Sequence, residues 1–436
     1  MFDSRKIDAI ADVLTAADFA DPFFGRVYDL LVTHHARGTS LTALSIRPHI
    51  QHDPSFAEVG GNAWLASITS VAASLADTGG AAKQIAALAK RRRLIESLQK
   101  AVALCEDTSA DMEGVVSTVD AGISAATITQ NAAVEITGAD AMARLLNSAG
   151  GDKKSVRSGS IQCLDDLIGG MRPSQVVIGA GRPGMGKSAI SLSYAIGAAR
   201  KGHGVMFVSM EMGAEELAAR MAADMAFTGR GGVQFGDINS DNPSRYAREA
   251  MADAMAELEK MPLLIVDAGS LSVGRLDMMV RRYKRKLASK GQSLDLVVVD
   301  YLQLLRPDEK MKSNYEAVSE VSRRLKAMAK DHEVAVFALA QLSREVEKRD
   351  DKKPHLSDLR DSGQIEQDAD AVIFFYRLAY YLKLAIPAES DAKYDSAMAA
   401  YTAAENGIEF ICAKRRNGVI GSAEGEFYGA YQAVRG

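Results

Sequence analysis

Residues 181–188 read Gly-Arg-Pro-Gly-Met-Gly-Lys-Ser and constrain the fold more than any other stretch of the chain. They fit the spacing G-x-x-x-x-G-K-[ST], follow the apolar run Val176–Ala180 and open the helical pattern AISLSYAIGAARKG. Strand, glycine-rich turn and helix in that order make a phosphate-binding loop. The glycines let successive backbone N–H groups face one anion, and the start of the helix adds a favourable dipole. The expected nucleotide-binding residues are Gly181, Arg182, Pro183, Gly184, Met185, Gly186, Lys187, Ser188 and Ala189. Lys187 is expected to reach the β- and γ-phosphates, and Ser188 to offer its hydroxyl to Mg2+.

Beyond residue 160 short apolar runs alternate with helical segments: Val205–Met210, Leu263–Asp267, Leu294–Asp300, Val334–Leu339 and Ala371–Tyr376. Runs without polar alternation are strands buried on both faces, so the expected fold is a doubly wound, mostly parallel α/β sheet. Gly407–Ala413 and Val419–Tyr428 flank KRRNG and read as a hairpin with Asn417 and Gly418 at the turn.

A metal-bound triphosphate needs a carboxylate at a strand end. Asp300, after four apolar residues, is the expected metal carboxylate, and Asp267, after LLIV, is the alternative. Glu211 follows the strand VMFVSM and is expected to orient the attacking water; its other reading is a cap on the helix beginning near Ala214. Gln341 ends the run AVFALA, where an amide can sense the γ-phosphate or make an ordinary loop hydrogen bond.

Residues 1–135 carry helical periodicity, with Phe23, Phe24, Tyr28, Trp64 and Leu65 as bulk for a small core. Lys83–Cys105 reads as one long helix whose Ile85, Leu88, Ile95, Leu98 and Val102 form a stripe. The basic tract Lys90–Arg93 on it reads as a solvated face, with phosphate contact as the alternative. Residues 137–148 form a short amphipathic helix, and the Gly-, Ser- and charge-rich 149–160 a flexible linker. The expected organisation is a helical domain at 1–135, a linker helix and flexible linker at 136–160, and an ATPase domain at 161–436.

Composition removes several classes. The net charge is -4, and neither side of residue 160 is basic, so nucleic acid would have to be gripped by local loops. No run of 18 apolar residues and no secretory signal occur, which points to no membrane and a cytoplasmic protein. Three distant cysteines fit neither a disulfide framework nor a zinc site and are expected to be buried; the seven histidines show no metal spacing.

Further blocks follow the phosphate loop in order: VSMEM at 208–212, DYLQL at 300–304, ALAQLSR at 338–344, SDLRDSGQIEQDAD at 357–370 and AKRRNG at 413–418. With these the chain resembles the replicative DNA helicases of the DnaB type, which carry a RecA-like motor after a small all-α domain; GGNAWLASI at 60–68 is similar to part of that domain. The resemblance implies ATP and Mg2+, a homo-hexameric ring, 5′–3′ movement on single-stranded DNA, and a primase and a helicase loader as partners. It implies that Arg416 is an arginine finger acting on the neighbouring subunit, that Lys414 is a second trans-acting cation, and that Arg415 faces solvent. It assigns DNA contact to Arg360, Asp361 and Gly363, strengthens the water-orienting role of Glu211, and docks residues 137–148 on the next motor domain. The chain departs from the family in being short before Phe19, in the long segment 377–406, expected to be a helical insertion near the motor surface, and in Val419 where proline is usual. The rival reading is a RecA-like ATPase that remodels without unwinding.

Overall fold

The first helix, α1 (Pro22–Ala36), begins where Asp21 stands in extended backbone and accepts the N–H of Phe23 at 2.8 Å, with Pro22 in the first turn. It is followed by α2 (Ala43–Ile50), α3 (Pro54–Glu58), α4 (Gly61–Val71) and α5 (Thr78–Glu106). Phe23, Ile46, Ile50, Phe56 and Leu65 form their core, with Trp64 edge-on to Phe23 at 5.5 Å. The expected stripe on α5 lies on the exposed side: Leu88, Ile95, Leu98 and Val102 are all more than two-fifths accessible, while Ala82, Ala89 and Ala101 are buried. The basic tract also differs from a solvated face. Arg92 donates to the Asp18 carbonyl at 2.5 Å and Arg93 pairs with the Asp18 carboxylate. Small alanines allow close approach, and the long arginines reach past them to the acid.

This computed structural model describes residues 13–37, 42–71, 78–107, 155–308, 311–359 and 363–436, with a few isolated positions besides. The chain divides into two units, Met1–Leu145 and Leu146–Gly436. The stretch before Leu14 and the segments 108–136 and 144–154 lie largely outside the described residues, as does half of the linker helix expected at 137–148. No helix among the described residues is long and apolar enough to cross a membrane.

In the second unit α6 (Gln162–Ile168) precedes β1 (Val176–Gly181) and α7 (Lys187–Arg200). Then come β2 (Gly204–Ser209), α8 (Ala214–Ala226), α9 (Arg245–Leu258), β3 (Leu263–Asp267), α10 (Val273–Ala288) and β4 (Leu294–Asp300). Short turns and a two-stranded ladder aside, these are followed by α11 (Asn314–His332), β5 (Ala335–Gln341), α12 (Gly363–Asp368), β6 (Ala371–Tyr376), α13 (Leu378–Leu384), α14 (Tyr394–Ala404), β7 (Gly407–Arg415), β8 (Gly421–Tyr428) and β9 (Ala433–Arg435). Among the described residues these nine strands form one sheet in the order β9-β8-β7-β6-β1-β5-β4-β2-β3. The six from β6 to β3 are parallel, and β7 to β9 add an antiparallel edge.

Each central strand feeds both faces. Val297 and Val299 of β4 join one core, Leu296 and Val298 the other; Val336 and Ala338 of β5 oppose Phe337 and Leu339 in the same way. Double burial is why these segments read as unbroken apolar runs.

Three expectations need correction. The flexible linker does not extend to Ser160. Val156 is fully buried and exchanges backbone bonds with Met171, and the amides of Ser158 and Gly159 donate to buried Asp165 at 3.1 and 2.7 Å. Small polar residues serve there as donors to a carboxylate. The hairpin is present with Asn417 and Gly418 in its connection, but that connection runs through 416–420, so the second strand starts at Gly421 rather than Val419 and leaves Val419 and Ile420 exposed. Of the cysteines only Cys412 is buried, and Cys105 is exposed.

Candidate active site

Gly181 ends β1 and Lys187 begins α7, with Gly184 and Gly186 at φ +83° and +84°. Those backbone angles favour glycine, and neither site has room for a side chain. A Cβ on Gly184 would stand 2.6 Å from the Tyr380 ring, and one on Gly186 2.5 Å from the Phe427 ring. Met185 and Ala189 point into the core, so only their backbones can meet a phosphate. Arg182 is turned away from the loop. Its Nε donates to Glu347 at 2.8 Å and its Nη1 to the Leu342 carbonyl at 2.9 Å.

Asp300 ends β4 with no accessible surface, and neither carboxylate oxygen has a hydrogen-bond partner. Burial pushes its carboxyl above the ordinary range, the Ser188 hydroxyl pulls it down, Glu211 pushes it up and Lys187 opposes that. Burial pushes the Lys187 ammonium down, against Asp300 and Glu211. A buried, partnerless carboxylate beside a hydroxyl fits a hard divalent cation, which takes oxygen ligands. Among the described residues no cluster of three or more His, Cys, Asp or Glu side chains offers a metal site, so any cation here would draw its other ligands from phosphate and water.

Glu211 follows β2, whose Ser209 lies opposite Asp300, and the Met210 N–H donates to the Asp300 carbonyl at 3.0 Å. The first amide of α8, that of Ala214, is held by Asp267 at 2.8 Å. Asp267 therefore fills the capping role that is the other reading of Glu211. Gln341 stands opposite Gly181 on the neighbouring strand, its backbone joined to the Gln303 amide at 3.3 Å in both directions. Both residues border a cleft of about 360 Å³ shared with Arg182, Tyr301, Asn314 and Arg344.

Lys414 and Arg416 are not in this group. Lys414 Nζ meets the carbonyls of Glu366 and Gln367, and Arg416 reaches Gln367 O at 2.9 Å and Asp370 Oδ1 at 3.3 Å. Burial and the adjacent Arg416 push the Lys414 ammonium down, against Glu366, Asp370 and Asp368. Asp370 Oδ2 takes the N–H of Val176, the first residue of β1, at 2.8 Å. The pair thus sits at the end of β1 opposite the phosphate loop, five residue steps or about 17 Å away. Arg415 points away as expected but not to solvent: it donates to the Leu167 and Ile168 carbonyls at 2.9 and 2.8 Å, at the carboxyl end of α6. Of the residues implied for DNA, Gly363 begins α12, while Arg360 and Asp361 lie outside the described residues.

Sequence reasoning missed Arg377, Tyr380 and Phe427. The segment 377–406 does hold two helices, α13 and α14, but its start packs on the phosphate loop rather than standing off as surface decoration. The Arg377 guanidinium lies 4.0 Å from the Phe427 ring centre and its Nη1 meets the Gly184 carbonyl at 3.4 Å. One signal was available: a basic residue directly after a buried strand, at the carboxyl edge where such sheets bind ligands.

Residues 156–435 match the DnaB-like helicase C terminal domain and residues 1–87 the DnaB-like helicase N terminal domain. The chain is 31% identical to the replicative DNA helicase DnaB of Rickettsia bellii, over 97% of this chain and 87% of that protein. It is 30% identical to the replicative DNA helicase DnaC of Bacillus subtilis, over 97% and 88%. A solved DnaB-like replicative helicase, described with its interactions with primase, superposes with a TM-score of 0.67 at 27% identity, over 99% of this chain and 98% of that one. A second solved structure, an ATPase domain, gives 0.56 at 34% identity, over 68% and 95%. A phosphate loop, a buried carboxylate beside it and relatives matched over nearly the whole length place the chain in the DnaB-like helicase family, as an ATP-hydrolysing replicative DNA helicase.

Proposed function

We propose that this helicase works in the cytoplasm as a homo-hexameric ring that hydrolyses ATP at the seams between subunits and moves 5′–3′ along single-stranded DNA. The observation that carries this reading is the separation within one subunit. Lys187, Ser188, Glu211, Asp300 and Gln341 gather at one end of β1, and Lys414 and Arg416 stand at the other. A finger fixed at the far end of a strand cannot serve its own phosphate loop, which supports action on a neighbour.

In this reading the loop amides from Gly181 to Ser188 and the Lys187 ammonium hold the triphosphate. Asp300 and Ser188 would hold Mg2+, which neutralises charge on the β- and γ-phosphates when bound. Glu211 orients a water in line with the γ-phosphorus and takes its proton, and Gln341 senses the phosphate. The neighbour's Arg416 and Lys414 stabilise the charge developing in transfer; such a trans arginine is worth about 10³–10⁵ in rate, about 4–7 kcal/mol. Arg360, Asp361 and Gly363 grip DNA phosphates without reading bases. Each opened base-pair step costs about 1.4 kcal/mol, within reach of ATP coupling. The solved relative described with primase supports a primase partner, and the family a loader; residues 1–135 would form the ring's collar and 136–154 its tether.

Mixing two inactive variants tests the seam. Glu211→Gln and Arg416→Ala proteins each lose hydrolysis, and mixed rings regain part of it, because some seams join an intact Glu211 to an intact Arg416. Absence of recovery in verified mixed rings rejects trans catalysis. Strand separation on a forked duplex distinguishes the helicase from an ATPase that only remodels.

A further inference from the structure

The finger pair grips the far end of the helix that begins at the proposed DNA loop. α12 runs only from Gly363 to Asp368. Its last carbonyls, which have no partner within the helix and mark its negative end, receive both cations: Lys414 on Glu366 and Gln367, Arg416 on Gln367 at 2.9 Å. Asp370, two residues beyond, is buried and holds three things together: Arg416 at 3.3 Å, Lys326 of α11 at 2.5 Å and the amide that opens β1 at 2.8 Å. Asp368 ties α12 to α11 by accepting from Ser322 at 2.8 Å.

We propose that Asp370 and the carboxyl end of α12 are positioning groups for Arg416 and Lys414, so that one short helix links the DNA loop of a subunit to the ATP site it serves on its neighbour. This rests on the trans-acting reading of the two cations and on the proposed DNA contact at Gly363. Six residues span about 9 Å, leaving little slack between Gly363 and the carbonyls that hold the fingers. A DNA phosphate seated at Gly363 shifts α12, and the charge-assisted bonds at its other end carry the finger pair with it.

Asp370→Asn tests the link. It keeps an acceptor for the Val176 amide and removes the charge that faces Arg416. In assembled rings at saturating DNA, the KM for ATP is retained and the DNA stimulation of kcat falls by about tenfold. Lys326→Met removes the other cation on Asp370 and keeps its stimulation. Unchanged stimulation in Asp370→Asn, or equal loss in both variants, overturns the proposal. A second measurement does not depend on Asp370. In ADP no γ-phosphate is present for the fingers to reach, and Arg416→Ala binds fluorescein-labelled oligo-dT several-fold more weakly by anisotropy; unchanged affinity overturns the link. If Arg416→Ala retains ATP turnover, the finger assignment fails and the proposal with it. If turnover is lost while stimulation in Asp370→Asn and affinity in ADP are both normal, the link alone fails.

Discussion

Asp267 Oδ2 accepts the N–H of Ala214 at 2.8 Å, and this bond separates the duties of two neighbouring acids. Asp267 closes the start of α8, so the capping role does not fall to Glu211, which lies beside the β2–β4 junction and is proposed to orient water. Glu211→Gln should retain nucleotide binding and lose about 10²–10⁴ in kcat. Asp267→Ala should keep its turnover and lose about 0.5–2 kcal/mol of stability. Single-turnover hydrolysis and thermal melting of both variants check the division; a normal rate for Glu211→Gln refutes it.

The partnerless carboxylate of Asp300 predicts a gain in stability from a loss of function. Burial raises its pKa in the folded protein, so the fold prefers the protonated form. The stability from this group is complete below the ordinary carboxylate value and lost as pH rises through the raised one. Asp300→Asn removes that loss and should stabilise the nucleotide-free protein at neutral pH by about 1–3 kcal/mol, the cost of an unsatisfied buried group. Magnesium-dependent hydrolysis should vanish in the same variant. The difference in melting temperature should shrink as pH is lowered; a variant that melts earlier than the parent at neutral pH contradicts this.

Neighbours in the block Lys414-Arg415-Arg416 should respond in different ways. Arg415 donates to two carbonyls at the carboxyl end of α6. Arg415→Ala should lower stability by about 1.5–3 kcal/mol, the range for hydrogen bonds to a charged group, and keep its ATP turnover. Denaturant unfolding beside steady-state hydrolysis separates the two effects.

Gly186 carries a positive φ with the Phe427 ring 2.5 Å from where a Cβ would stand. Gly186→Ala should lose nucleotide binding outright, because both backbone strain and the ring displace the loop. Calorimetric titration with ATP reads it. Phe427→Ala in the same chain relieves only the collision, so recovery in the double variant should be partial.

Much of the motor was legible because its information is local. The glycine spacing and the doubly buried runs carry their meaning within ten residues, and Asp300 at the end of four apolar residues is placed by its strand alone. Distant contacts were not legible. Ser158 and Gly159 look like linker residues until Asp165, from another turn of chain, accepts their amides. Arg415 looks solvated until α6 arrives beneath it. On α5 periodicity finds an apolar stripe but not the direction it faces; alanines and the Asp18 salt bridge set that direction. Arg377 reaches the phosphate loop across nearly two hundred residues, beyond any spacing rule.

β1 is hydrogen-bonded along both flanks, to β5 and to β6, and clasped at its first residue by Asp370. A ladder secured on both sides does not stretch without breaking many bonds together. The distance from Asp370 to the phosphate loop is therefore set by the strand, and what can shift at that end is α12 with the two cations bonded to its carbonyls. In the proposed ring, the coarse setting of each seam would then come from how whole subunits sit, and the fine setting from one turn of helix.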